Sequence, residues 1–288
     1  MRLTAIVPSA NRWQHAEAVV RALLPAPPGV DLEVLVVCGE TGAPPPEDES
    51  NLRYASIPEH DIFVARSVGL TLATGEFVAL FEDHVLPDAN WATALLAAWE
   101  QHPEADAMIY PLTVGPDAMM WEIALFTLTF GPFLGVTEAP RDRIPVPGMV
   151  AFRRSLVPTP TPPAGWLEYE FLAQLATEGR IAMTTATKGL HIQPVGWRAP
   201  ILSFHSGRMY AGSAAADPAV TRCGELRRLR RDRKLISDQT FAARRRITGA
   251  KVGVRFAACA SAVIAANLIG QLVGVASRSA GHSSTILQ

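Results

Sequence analysis

The sequence predicts an α/β fold: a mostly parallel sheet flanked by helices, followed by a helical tail that is first basic and then apolar. Three observations lead there. Short runs rich in valine and isoleucine alternate with segments of helical period through residues 1–100. Of 288 residues, 49% are hydrophobic and 18% charged, which excludes disorder and allows a core that needs no staples. The charge is divided unevenly. Residues 1–221 carry 24 acidic and 13 basic side chains, residues 222–255 carry 3 and 12, and only Arg278 is charged beyond them. An acidic body followed by a basic segment points to something anionic as a partner of that segment.

The elements follow in order. Residues 3–7 read as a short buried strand stopped by Pro8. Residues 13–24 place Trp13, Ala16, Val20 and Leu23 on one helical face. The valine-rich run 32–37 is a second strand, residues 42–50 a Pro- and acid-rich loop, and 52–57 a third strand of weak alternation. Residues 61–73 repeat Val64, Val68 and Leu72 at helical spacing, and Gly75 stands where a helix would stop. Residues 77–81 form another buried strand, and 92–99 a helix with Leu95, Leu96 and Trp99 on one side. The apolar stretch 119–136, broken by Glu122, Gly131 and Pro132, reads as an interfacial or a packing helix. Residues 146–152 are a strand, 155–165 a Pro-rich loop, 166–178 a helix ending at Gly179, and 181–185 a short strand.

The three cysteines, Cys38, Cys223 and Cys259, have no metal-ligand spacing and fit a reducing compartment. The amino-terminal apolar run is too short for a signal peptide. No dinucleotide fingerprint, P-loop, nucleophile elbow or H-E-x-x-H motif is present. The chemistry therefore rests on Phe77-Val78-Ala79-Leu80-Phe81-Glu82-Asp83-His84, a buried strand that runs directly into two acids and an imidazole. Ligands of parallel sheets sit beyond the carboxyl ends of strands. Such side chains there either face a divalent cation, which takes carboxylate oxygen and imidazole nitrogen, or form a solvated turn with a helix cap.

Four segments in one colinear order resemble family-2 glycosyltransferases. They are Leu3-Thr4-Ala5-Ile6-Val7-Pro8-Ser9-Ala10-Asn11-Arg12, then Ala65-Arg66-Ser67-Val68-Gly69 running on to Glu82-Asp83-His84, then Trp166-Leu167-Glu168-Tyr169-Glu170-Phe171 with Gly179, and finally His191. The resemblance spans about residues 3–210 and implies a GT-A (Rossmann-like) fold. On it, residues 1–110 would be the nucleotide-sugar half, 111–212 the acceptor half, and 213–288 a basic and apolar tail. It implies transfer of a sugar from a nucleotide-diphosphate donor to a glycan, polysaccharide or lipid-linked acceptor, with inversion, and a divalent ion at the diphosphate.

The resemblance assigns Asp83, His84 and His191 to the metal. It assigns Pro8, Ser9, Asn11, Glu40, Arg66, Glu82, Asp83 and Arg208 to the donor. Glu168, eleven residues before Gly179, matches the catalytic base, with Glu170 two residues further on. Two residues apart on a helix they point some 200° apart, so only one of them faces a given site. Two departures stand out. The usual D-x-D is Glu82-Asp83-His84, and the imidazole suits Mn²⁺ better than Mg²⁺ or belongs to a metal-free variant. The usual aspartate beside the uracil ring is replaced within Val36-Val37-Cys38-Gly39-Glu40: either Glu40 reaches the base of a UDP-sugar from a shifted position, or the uridine preference is lost. Both departures keep open a GT-A protein that binds nucleotide or a partner without transfer. His205 and Arg208 would contact the diphosphate or belong to a lid or surface helix.

The tail is a separate reading. Residues 222–234 hold seven basic side chains, Arg244-Arg245-Arg246 add three, and residues 256–276 are uncharged. Nucleic acid is not expected, because no aromatic residues interleave with the basic ones for base stacking. An anionic membrane surface fits better. Ser261, Asn267, Gly270, Gln271 and Gly274 favour a peripheral over a spanning helix, with the catalytic body at the cytoplasmic, inner face of the cell membrane.

Overall fold

Two long apolar runs make the longest strands of the sheet, β1 (Arg2–Ser9) and β2 (Asp31–Gly39). They pair in parallel from Arg2↔Asp31 to Ser9↔Cys38, and all but their first residues are buried. Burial on both faces is why these runs are continuously apolar rather than alternating. The structure, a computed structural model, describes the chain except residues 10–12, 40–49, 59–61, 141–147, 158–166, 217–220, 249–252 and 279–288. It also leaves out the side chains of residues 14–15, 167–170, 213–214, 216, 225, 228, 231–235 and 247–248. The loop expected at 42–50 and most of that at 155–165 thus lie outside the described residues.

The chain divides into two units, Met1–Thr113 with Val136–Ile192, and Val114–Gly135 with Gln193–Gln288. The first holds a seven-stranded sheet. β3 (Leu52–Ile57) joins β2 in parallel, and β4 (Phe77–Leu80) joins β1 in parallel. Beyond β4 lie β8 (Val150–Arg153), β6 (Ala107–Ile109) and β9 (Ile181–Met183), in the order β3-β2-β1-β4-β8-β6-β9. Only β8 runs antiparallel to its neighbours. A small sheet sets β10 (Gly189–His191) between β5 (Val85–Pro87) and β7 (Leu112–Val114). The GT-A-like α/β architecture is therefore present.

Helices α1 (Trp13–Leu23), α2 (Ile62–Leu72), α3 (Trp91–Gln101) and α5 (Leu167–Glu178) belong to this unit. On α1 the expected face of Trp13, Ala16, Val20 and Leu23 is buried. Two expectations need correction. Pro8 does not stop β1; it pairs with Val37, one residue before the strand ends. Pairing with β4 has already ceased at Ile6↔Leu80, so the proline lies where only one neighbour remains. On α2, Val64, Val68 and Leu72 are only partly buried, whereas Phe63, Arg66, Ser67, Gly69 and Leu70 are buried. The sheet side of α2 is a small-residue side: a Cβ on Gly69 would come within 2.5 Å of the Ile6 side chain.

The second unit is helical: α4 (Met120–Phe130), α6 (Ala199–Ala216), α7 (Arg222–Thr248) and α8 (Val254–Ser277). Here α4 proves to be a packing helix. Ala124 and Leu125 share a core with Ala199, Leu202, Phe256, Cys259, Ala260 and Val263. α6 packs along α8. Asn267 Nδ2 donates to Ser203 O at 3.1 Å, and Arg278 Nε donates to Ala215 O at 2.8 Å. Among the described residues, α8 is the one helix long and apolar enough to cross a membrane, and 33% of that stretch is buried.

Candidate active site

The site forms where β4 ends. After the buried Phe81, the chain turns over Glu82–Val85, with Val85 N donating to Glu82 O at 3.1 Å, and enters β5. β10 pairs antiparallel with β5, setting His191 opposite Val85, and Ile192 N donates to His84 O at 2.9 Å. This pairing joins residues more than a hundred positions apart. Gly148 packs against this turn, and its N donates to Leu80 O at 2.8 Å. Its φ is +91°, and a Cβ there would lie 3.4 Å from Glu82 Cγ and 3.3 Å from Val85 Cγ2. Only glycine adopts that backbone without strain.

The ligand atoms of Glu82, His84 and His191 lie within 4.8 Å of one another. His84 Nε2 stands 3.2 Å from His191 Nε2 and 3.3 Å from Glu82 Oε2, and the remaining pair is 3.8 Å apart. Donors bound at about 2.1 Å to one ion are roughly 3.0–3.4 Å apart in tetrahedral or octahedral geometry; the two spacings from His84 match this, and the third, His191 to Glu82 at 3.8 Å, is wider. Asp83 points elsewhere. Its Oδ2 accepts from Ser9 Oγ at 2.8 Å, and its Oδ1 is 2.9 Å from His84 Nδ1. A carboxylate on Nδ1 orients the ring so that Nε2 faces the centre. Of the two acids of the segment, Glu82 is the carboxylate that converges with the imidazoles, and Asp83 meets His84 on its Nδ1 side.

A profile of the family described as "Glycosyl transferase family 2" matches residues 4–158, more than half of the chain. The chain belongs to glycosyl transferase family 2. It is a glycosyltransferase, and the cluster just described lies within the matched segment or, for His191, on the strand paired to it. No curated protein matches the sequence. Among solved structures it is similar to S. aureus TarS 1–349, at 14% identity and a TM-score of 0.49, covering 96% of this chain and 91% of that one. It is similar to the mannosyltransferase PcManGT from Pyrobaculum calidifontis in complex with GDP-Man and Mn²⁺, at 18% and 0.48, covering 96% and 73%. Glucosyl-3-phosphoglycerate synthase from Mycobacterium tuberculosis, in complex with Mn²⁺, UDP-Glc and phosphoglyceric acid, aligns at 16% and 0.46, covering 67% and 72%.

The electrostatics of this transferase's cluster are divided between its members. Burial opposes the charge on His84, but the hydrogen bonds and charges of Asp83 and Glu82 prevail and push its pKa up to about 10. Burial and the neighbouring His84 push His191 down to about 3. Burial would raise Glu82, yet the His84 hydrogen bond and the charges of His84, His191 and Arg66 hold it below the usual carboxylate range. Arg66 reaches this field from α2, where it is buried. Tyr110, which the sequence reading passed over, is fully buried beyond β6, with a hydroxyl that has no hydrogen-bond partner among the described residues. Burial and the Glu82 charge both raise its pKa. A phenol ending the apolar run Ala107-Met108-Ile109 was the available signal.

The other expected residues are placed less completely. Pro8 and Ser9 end β1, beside Cys38 on β2. Burial raises the Cys38 thiol, against a Tyr54 hydrogen bond that lowers it, so this position holds a neutral group. Asn11 and Glu40 lie outside the described residues. Glu168 and Glu170 are in the first turn of α5, with side chains outside the described residues. Arg208 is on α6 in the second unit; its Nε is buried and has no hydrogen-bond partner among the described residues.

Proposed function

We infer that this glycosyltransferase moves a sugar from a nucleotide-diphosphate donor, a UDP-sugar first among them, to a hydroxyl of a glycan or lipid-linked acceptor, with inversion. The observation that carries this is the convergence of Glu82, His84 and His191 at the carboxyl end of β4, next to the ends of β1 and β2. Those three side chains would hold a divalent cation, and two imidazoles favour Mn²⁺ over Mg²⁺. Bound there, it would stabilise charge on the leaving diphosphate.

The remaining roles fall to the chain itself. Asp83 keeps the His84 ring turned, and Ser9 keeps Asp83 in place. Arg66 adds positive charge beside the same group, and Arg208 is assigned to the diphosphate. Pro8, Ser9, Asn11 and Glu40 line the nucleoside. Glu168 accepts the proton of the acceptor hydroxyl as its oxygen bonds to the anomeric carbon. The bond from that carbon to the diphosphate oxygen breaks, and the nucleoside diphosphate leaves with the electron pair. On this reading the chain works at the cytoplasmic, inner face of the cell membrane.

Titration calorimetry of nucleotide sugars with and without Mn²⁺ tests the donor and the cation. Binding of one donor, strengthened by Mn²⁺, is expected. Donor binding with neither hydrolysis nor transfer would leave the alternative, a protein that only recognises nucleotide. Glu168→Gln should lower turnover about 10²–10⁴-fold while changing donor affinity little, because the base acts on the acceptor. A dead Glu170→Gln beside an active Glu168→Gln would move the base by two positions.

A further inference from the structure

The second unit leaves one helix face unexplained. α8 carries no charge between Arg255 and Arg278, and its outward side is lined by Ala258, Ser261, Ala265, Ile269, Leu272 and Ala276. Ile269 and Leu272 are 55% and 49% exposed. The exposed side of a helix in water is ordinarily polar, so this face is built for another medium.

The neighbours of α8 decide how it would meet that medium. α6 runs parallel to it. Ser203 Oγ donates to Val263 O at 2.9 Å, and further along Arg278 Nε reaches Ala215 O. The backbones touch: a Cβ on Gly270 or Gly274 would fall within 2.3 Å of a carbonyl oxygen of α6. α7 runs antiparallel on another side. Phe241 packs on Phe256 with ring centroids 6.1 Å apart, and Leu229 shares a cluster with Val275. α7 has ten Lys/Arg and three Asp/Glu in 27 residues. A helix flanked over most of its length by such a neighbour cannot cross hydrocarbon without carrying those charges in. α6 would bring Arg208 as well.

We propose that the outward face of α8 lies in the plane of an anionic lipid bilayer, with α8 as an interfacial helix rather than a span. Charge complementarity selects the occupant. Arg222, Arg227, Arg230, Arg245 and Arg255 are exposed on α7 and at the start of α8, and clustered arginines are attracted to acidic headgroups. Not every basic residue is available for this. Arg246 donates to Gly131 O and Leu134 O at 2.7 and 2.8 Å, and Arg244 stacks on Phe256. This attachment is independent of the catalytic assignment, since none of its residues belongs to the cation cluster.

The test is cosedimentation of the full chain with vesicles of phosphatidylcholine, alone or mixed with phosphatidylglycerol. The chain should pellet with the anionic vesicles at low salt and leave them at high salt. Ile269→Glu combined with Leu272→Glu should weaken binding about tenfold or more, while transfer to a soluble acceptor is retained. Depth gives a second readout. In a Cys223→Ser background, where Cys38 and Cys259 are buried, single cysteines at Ala258, Ala265, Leu272 and Ala276 would carry an environment-sensitive dye. Uniform shallow depth is expected. A depth that peaks mid-helix makes α8 a span and overturns the proposal, as does absence of binding at low salt. Binding unchanged by the double substitution, with a dimer converted to monomer, would assign the face to a second copy of the chain and overturn it too.

Discussion

The central sheet carries carboxylates at both ends, one at the amino end and two at the carboxyl end, and they are met by different kinds of donor. At the amino end, Glu33 on β2 accepts from Thr4 Oγ1 at 2.6 Å, from Thr74 N at 3.1 Å and Oγ1 at 2.8 Å, and from Arg53 Nη1 at 2.5 Å. Thr4 in turn accepts from Gly75 N at 2.8 Å. Every donor there carries a proton that does not titrate in the physiological range, so the network has one state. At the carboxyl end, Glu82 and Asp83 are met by two imidazoles whose pKa values are driven apart, to about 10 and about 3. A proton among imidazoles can be exchanged for a cation; a proton on arginine or threonine cannot. The first arrangement holds the fold, and the second is suited to a reagent.

The largest expected effect separates the two ends by activity. Glu82→Gln keeps shape and a carbonyl acceptor but removes the charge a cation needs. Transfer should fall about 10³-fold, about 4 kcal/mol, with stability within about 1 kcal/mol of the parent. Retained turnover with unchanged Mn²⁺ dependence would show that the carboxyl-end cluster is as structural as the other. The matching change at the amino end, Glu33→Gln, should spare the specific activity of the folded protein and cost stability.

That cost has a pH signature. Burial would raise the Glu33 carboxyl, but the hydrogen bonds from Thr4, Arg53 and Thr74 lower it from 4.5 to about 2. A carboxyl whose pKa is depressed on folding contributes about 3 kcal/mol above its unfolded pKa, and this is lost as pH falls through the folded one. The parent and Glu33→Gln should therefore differ by about 3 kcal/mol in urea melts at neutral pH. The difference should shrink below pH 4.5 and vanish near pH 2. A gap that does not change with pH would trace the loss to packing instead.

How much of this contrast was legible in the sequence depends on periodicity. The buried strand runs and the α1 face are local patterns, and they read correctly; the Glu82-Asp83-His84 segment was legible as the polar end of a buried strand. A motif matched letter by letter does not say which of the two acids joins the imidazoles. Where the chain is extended or tightly turned, residues two apart share a side, so Glu82 and His84 converge while Asp83 faces Ser9. His191 could be placed by family order, but its approach to His84 depends on β5–β10 pairing, which no local pattern encodes. On α2 the valine stripe misled because the sheet side uses Gly69, Ser67 and Arg66, residues that carry little hydropathy signal. The tail read as an appendage for the same reason. Gly207, Gly270 and Gly274, which let α6 and α8 touch, look in sequence like weak points of helices.

The smallest effects come from the hydroxyl that each cluster uses, and they sharpen the comparison most. Ser9 Oγ donates to Asp83 and Thr4 Oγ1 donates to Glu33, both from β1, at opposite ends of one strand. Ser9→Ala removes a donor that steadies Asp83, while Asp83 still faces His84. Mn²⁺ affinity should weaken several-fold, on the order of 1 kcal/mol, through looser orientation of the imidazole. The melting midpoint should hardly move. Thr4→Val leaves Glu33 short of one donor and strands the buried Gly75 N–H without its acceptor. It should lower stability by about 1–3 kcal/mol and leave Mn²⁺ affinity unchanged. Calorimetry with Mn²⁺ and urea melts on these two variants form a cross. If Ser9→Ala destabilises as much as Thr4→Val and both leave Mn²⁺ affinity alone, the two ends of β1 serve one purpose, and the division between holding the fold and holding a cation fails.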